Sequence, residues 1–130
     1  MFLNAIEEKQ KGAFYSLAYH LMNCDNDCDE SELALLDEYL GEMNIDKPEI
    51  ISLNDAKEAF LYSSKSIRKM MFIELIALAL ADNDYKDEEI DYLSELGESF
   101  GITPEEAADL KCCVDELIYI NQKLASLVKE

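Results

Sequence analysis

The chain has 130 residues, enough for one domain with a real core, and 49% of them are apolar, which excludes wholesale disorder. It carries 29 acidic residues against 11 basic ones, a formal charge of -18 with His20 neutral. That balance argues against nucleic acid and anionic membrane as partners, because both are held through lysine and arginine. It leaves cations, basic protein surfaces or plain solubility.

Two prolines, four glycines and no alternating Val/Ile/Thr-rich run mark the chain as helical almost throughout. The first eight residues lack the basic region and long apolar stretch of a signal peptide. A first helix is expected over roughly residues 5–23, with Phe14, Leu17, Ala18, Leu21 and Met22 as its apolar stripe. An acidic turn follows at residues 24–28. Asp29 is placed to cap a second helix, with Glu32 completing a capping box. Leu33, Leu36, Tyr39, Leu40 and Met43 form its inward face, and Asn44, which tolerates the left-handed conformation, ends it. Pro48 is placed to start a short helix near residues 47–52, and another is expected at about residues 54–62.

The serines around Lys65 break and recap the chain into a long helix over roughly residues 65–81. It is apolar on nearly every side, so it is expected to be the central, most buried helix. Glu74 interrupts it and is expected to reach an edge of the bundle or to pair with Arg68 or Lys69. The run is too short and too charged to span a bilayer, and a cytoplasmic protein is expected. A second acidic turn at residues 82–86 leads into a helix at roughly residues 87–99, with Ile90, Leu93, Leu96 and Phe100 inward and Gly101 after its end. Thr103-Pro104-Glu105-Glu106 supplies a cap, a proline at the first helical position and a glutamate at the third. The last helix, or pair of helices, carries Leu110, Cys113, Val114, Leu117, Ile118, Asn121, Leu124 and Val128 on one face. Exposed apolar residues there would favour self-association, and a homodimer is one expected outcome.

The sequence repeats itself. Asp25-Asn26-Asp27 and Asp82-Asn83-Asp84 are the same tripeptide, 57 positions apart. At that offset Leu21 falls on Leu78, Glu32 on Glu89, Leu36 on Leu93, Ile45 on Ile102 and Leu53 on Leu110. Each copy reads as an apolar helix, an acidic turn and an acidic amphipathic helix. The expected fold is all-α: a compact bundle of about seven helices, built from one repeat at about residues 11–53 and a second at about residues 68–110, with residues 1–130 forming a single domain.

At Ala79-Leu80-Ala81-Asp82-Asn83-Asp84-Tyr85-Lys86-Asp87-Glu88-Glu89-Ile90 the chain resembles the tellurite-resistance TerB-like family. Phe100-Gly101-Ile102-Thr103-Pro104-Glu105-Glu106 continues the same pattern. Asn83 replaces the glycine of the family's turn, and Lys86-Asp87 replaces its usual cap and proline. The resemblance is clearest over residues 67–110. It implies a compact helical fold associated with bacterial stress-response and tellurite-resistance systems, and it implies no enzymatic activity.

The acidic turns are the candidate binding sites. Asp25, Asp27 and Glu32 form one set, and Asp82, Asp84 and Glu89 the other. Alternating aspartates aim oxygens at one centre, and a glutamate from the next helix closes the cage, an arrangement suited to calcium or magnesium. Neither turn is an EF-hand: both lack the glycine at position 6, and position 12 is Leu36 or Leu93. The competing reading makes these carboxylates helix caps and turn stabilisers. His20 is the single histidine, and Leu17 at the position three residues earlier excludes a Glu-x-x-His di-iron pair. No Ser/Lys or Cys/His constellation supports nucleophilic catalysis. Cys24, Cys28, Cys112 and Cys113 are expected to be reduced, and to act as small buried hydrophobes instead of zinc ligands.

The expected function is therefore a non-enzymatic acidic binding or sensing module with a protein partner of basic surface, linked to divalent cation binding. The competing class is a metal-dependent enzyme or enzyme subunit in which Asp82, Asp84 and Glu89 hold magnesium or manganese, and a third reading is a stand-alone acidic protein-interaction module.

Overall fold

A computed structural model describes residues 2–23, 30–80 and 86–129, and of residues 30–32 the backbone alone. Six α-helices and one 3-10 turn account for the regular structure of these residues, and no strand occurs among them. The helices are α1 (Glu8–Met22), α2 (Glu30–Met43), α3 (Leu53–Glu58), α4 (Lys65–Ala79), α5 (Asp87–Ser99) and α6 (Pro104–Val128).

The first helix starts later than its apolar pattern suggests, because Leu3–Ala5 forms the 3-10 turn and Glu7 stands as the cap. Gln10 fixes this start. Its Oε1 accepts the Glu7 amide at 3.2 Å, while its Nε2 donates to the Ala59 carbonyl at 3.0 Å and to Ser63 Oγ at 2.7 Å. One buried amide thereby closes the helix end and ties it to the chain after α3.

α1 packs against α2, α3, α4 and α5. Nine of its fifteen residues are buried, against seven of fifteen in α4. The expected central role of the residue 65–81 helix therefore passes to α1. Part of the apolar circumference of α4, at Ile67, Met70, Ile73 and Ala77, stays half-buried. Phe14, Leu17 and Leu21 of α1 meet Leu36, Met43, Phe60, Met71, Leu75, Leu96 and Phe100 in one contiguous core. Phe14 and Tyr39 meet at 5.3 Å between ring centroids, and Phe60 and Phe100 at 5.9 Å, both tilted, the geometry that ring quadrupoles favour.

The short helix expected at residues 47–52 is absent; residues 45–52 run without helical hydrogen bonding. Side chains of α1 take the backbone groups a helix would have used. The Ile51 amide donates to Ser16 Oγ at 3.0 Å, and the Ile51 carbonyl accepts from His20 Nε2 at 2.8 Å. α3 is shorter than expected, capped by Ser52 Oγ on the Asp55 amide, and it unwinds into turns after Glu58. α6 is one helix of 25 residues and not a pair. Its start is as expected: Thr103 Oγ1 accepts from the Glu106 amide and Glu106 Oε1 accepts from the Thr103 amide, each at 3.1 Å.

Local structure recurs at the 57-residue offset. α1 spans residues 8–22 and α4 residues 65–79; α2 begins at 30 and α5 at 87. α2 and α5 end in the same turn. Asn44 and Gly101 take positive φ, 56° and 72°. Beyond them the Ile45 amide bonds to the Leu40 carbonyl at 3.2 Å, and the Ile102 amide to the Gly97 carbonyl at 2.9 Å. This is the 6→1 closure of a Schellman motif, formed twice.

Candidate functional site

Most of the predicted cation ligands lie outside the described residues: Asp25, Asp27, Asp82 and Asp84, together with the side chain of Glu32 and the expected cap Asp29. Glu89 is described. It sits in the first turn of α5, 7% exposed, beside Asp87 and Glu88 on the same turn. Three carboxylates there complement the positive end of the helix dipole. Among the described residues no three His, Cys, Asp or Glu side chains converge on a point that would hold a metal ion.

Two expectations about single residues are corrected. Glu74 does not reach an edge: it is 5% exposed, and its Oε1 accepts the Phe2 amide at 2.7 Å. A carboxylate on an apolar helix thus anchors the N-terminal segment 72 positions away. Lys69 turns instead to Glu106 Oε2 at 2.7 Å. Cys112 and Cys113 are exposed free thiols and not buried hydrophobes, because the side of α6 that carries them turns away from the body. Cys24 and Cys28 lie outside the described residues.

The largest electrostatic perturbations lie at two places. Burial, with the Glu74 carboxylate next to it, pushes the Tyr39 phenol well above its usual range. Its hydroxyl donates to the Glu74 backbone carbonyl at 3.2 Å, so it serves as a neutral donor locking α2 to α4. At the start of α6, Lys69, then Lys65, then the Thr103 amide hold the Glu106 carboxyl well below the usual carboxylate range. This cluster fastens α6 to α4 at the surface.

A groove of about 520 Å³ lies among α4, α5 and α6. Phe72 and Ile76 form its α4 wall, Leu93 and Gly97 its α5 wall, and Ala107 and Ala108 its α6 wall, with Ile102 at the end. Ser94, Glu98 and Lys111 add polar groups to an otherwise apolar lining. The groove exists because its walls use small residues. A Cβ at Gly97 would stand 3.4 Å from the Phe72 ring, and the position 57 residues earlier is Leu40. Sequence reasoning on charged and metal-ligating residues passed over this feature. The available signal was a glycine inside the apolar stripe of α5 and an Ala-Ala pair at the start of α6.

A second hollow, of about 580 Å³, lies where α1 begins, between Gln10, Ala59 and Ser63, with Tyr62 almost fully exposed beside it. Within it Gln10 already engages the Ala59 carbonyl and the Ser63 hydroxyl.

In comparisons with known proteins, no family model, no curated protein and no solved structure matches the chain.

Proposed function

We propose that this chain is a TerB-like, non-enzymatic binding and sensing module of a bacterial stress-response system, made of two helix–acidic turn–helix units. On this reading the groove among α4, α5 and α6 takes an apolar segment of a protein partner. The acidic surface favours partners whose flanking residues are basic. Asp25, Asp27 and Glu32, and Asp82, Asp84 and Glu89, are the proposed ligands of calcium or magnesium at the two turns.

The observation that carries this reading is the apolar groove, and α5 links it to the acidic turn. α5 starts at the second turn with Glu89 buried in its first coil, and one and two turns later it supplies Leu93 and Gly97 to the groove wall. A cation that drew Glu89 toward Asp82 and Asp84 would move the helix that shapes the groove. The recurrence of helix bounds and closing turns at the 57-residue offset supports two units of one design. The lining is mainly aliphatic and aromatic, which suits recognition of a side chain better than acid–base chemistry.

Two measurements test this. Thermal unfolding in chelator is compared with calcium, magnesium and manganese added singly. The expected result is a rise in Tm with one cation that the Asp82→Asn/Asp84→Asn variant loses. Equal melting in every condition would make these carboxylates caps and remove the sensing half of the proposal. For the groove, a neutral apolar dye such as Nile red is titrated against wild type and against Ala108→Phe, which fills the groove from its exposed side. Undiminished dye binding by that variant would place the apolar site elsewhere.

A further inference from the structure

α6 outruns the body it belongs to. Val114 is its one fully buried residue, Ile118 is the last that is even partly covered, and everything from Tyr119 to Lys129 is exposed. That overhang is not polar. Leu117 is 38% exposed, Ile120 51%, Leu124 55% and Leu127 70%. With Leu110 and the exposed Cys113 they follow the spacing 110, 113, 117, 120, 124, 127. This alternation of three and four residues is the a/d seam of a coiled coil. Leu110 at the start of the seam is half-buried against the core, and from Cys113 onward the seam lies beside the face that packs Val114 on the bundle and stays exposed while α6 is docked.

We propose that the seam is an interface with a second copy of this chain, formed by antiparallel pairing of the two α6 helices about a two-fold axis near residues 118 and 119. In that register Leu117 of one copy meets Ile120 of the second copy, Cys113 meets Leu124, and Leu110 meets Leu127. Each contact occurs twice, as an isologous interface requires. The flanking charges select the same arrangement. Glu116 and Lys123 occupy the equivalent flanking positions one residue before Leu117 and Leu124, and antiparallel pairing sets Glu116 of each copy against Lys123 of the other. A parallel pair would instead set Glu116 against Asn121 and Lys123 against Val128, with no charge matched.

Net charge points the same way. Residues 110–130 hold Lys111, Lys123 and Lys129 against Asp115, Glu116 and Glu130, a locally neutral segment in a chain of -18. Two such chains repel elsewhere, and this is the segment on which they can meet. Antiparallel pairing also sets the two acidic bodies at opposite ends of the joint, whereas parallel pairing would bring them side by side. The seam faces away from the groove's α6 wall, so this inference does not depend on the groove reading, and either can fail alone.

The test uses the full chain. Sedimentation equilibrium is expected to give twice the 14.8 kDa chain mass. Leu117→Glu/Leu124→Glu is expected to give the monomer with unchanged helical circular dichroism, since both side chains are exposed. Lys123→Glu is expected to weaken the dimer by about tenfold or more, and Glu116→Lys/Lys123→Glu to restore it. Orientation is read with Cys24, Cys28 and Cys112 changed to serine. Cys113 of one copy lies about 16 Å along the helix from Cys113 of the other in the antiparallel register, at 1.5 Å per residue. This background should therefore resist oxidative cross-linking, and adding Leu124→Cys should permit it. A monomer at several hundred micromolar, a dimer that survives Leu117→Glu/Leu124→Glu, or cross-linking through Cys113 alone would each overturn the proposal.

Discussion

Asn44 and Gly101 hold equivalent turns with positive φ, and their side chains decide how much each turn costs. A left-handed backbone is strained for any residue with a Cβ, least so for asparagine. Gly101→Ala is expected to lower stability by about 1 kcal/mol, and Gly101→Asn by less, in urea unfolding. Asn44→Gly should raise it by a few tenths of a kcal/mol, since the strain disappears while the unfolded chain gains freedom. An unchanged midpoint for Gly101→Ala would mean that the turn relaxes. Glu106 supplies a pH signature. Lys69, Lys65 and the Thr103 amide depress its folded-state pKa, so its contribution is fully present above the ordinary carboxylate pKa of about 4. That contribution fades as pH falls from there toward the depressed value. Wild type should therefore melt above Glu106→Gln at neutral pH, and the two curves should converge in acid. A constant gap from pH 7 to pH 2 would assign the effect to hydrogen-bond geometry and not to charge.

At the level of helices, burial was less legible than existence. The long helices, the capping box at Thr103 and both closing turns follow from local chemistry: apolar period, a hydroxyl before the first turn, a residue that accepts positive φ. Which helix lies at the centre does not, because burial depends on how many neighbours arrive, and α1 receives four. Nor could the sequence show that Ser16 and His20 would hold residues 45–52 against α1 in place of a helix. The groove was hidden for a related reason. It is built from what Gly97, Ala107 and Ala108 lack, whereas a search for chemistry looks for what side chains supply. Ile90, expected to point inward, is 40% exposed at the groove's rim. These placements have consequences. Phe14→Ala empties a fully buried site on α1 and should cost about 3–5 kcal/mol. Ile90→Ala should cost much less, about 1 kcal/mol, because 40% of its surface stays in water after folding. Comparable losses at the two positions, measured by chemical denaturation, would contradict the burial pattern.

Over the whole molecule, two electrostatic effects oppose each other, and salt separates them. Specific ion pairs such as Lys65–Glu106 at 2.9 Å and Lys69–Glu106 at 2.7 Å stabilise the fold and weaken as salt screens them. Self-repulsion among 29 acidic residues facing 11 basic ones destabilises it and is relieved by the same salt. The pairs around Glu106 lie at the surface, where each contributes roughly 0–1 kcal/mol. The repulsion is spread over several exposed helix faces, including the turn of α5 that carries Asp87 and Glu88. Repulsion should therefore dominate, and Tm should rise by several degrees as sodium chloride goes from about 10 mM to about 500 mM, where the Debye length shrinks from about 30 Å to a few ångströms. Calorimetry at fixed protein concentration checks this, with potassium chloride as a control that separates screening from binding of a particular cation. The Leu117→Glu/Leu124→Glu variant, run in parallel, separates intrachain relief from tighter association, since screening would also draw two acidic chains together. A Tm that falls with salt in both proteins would mean that the pairs around Glu106 outweigh the repulsion, and that the acidic surface is less costly to the fold than its charge implies.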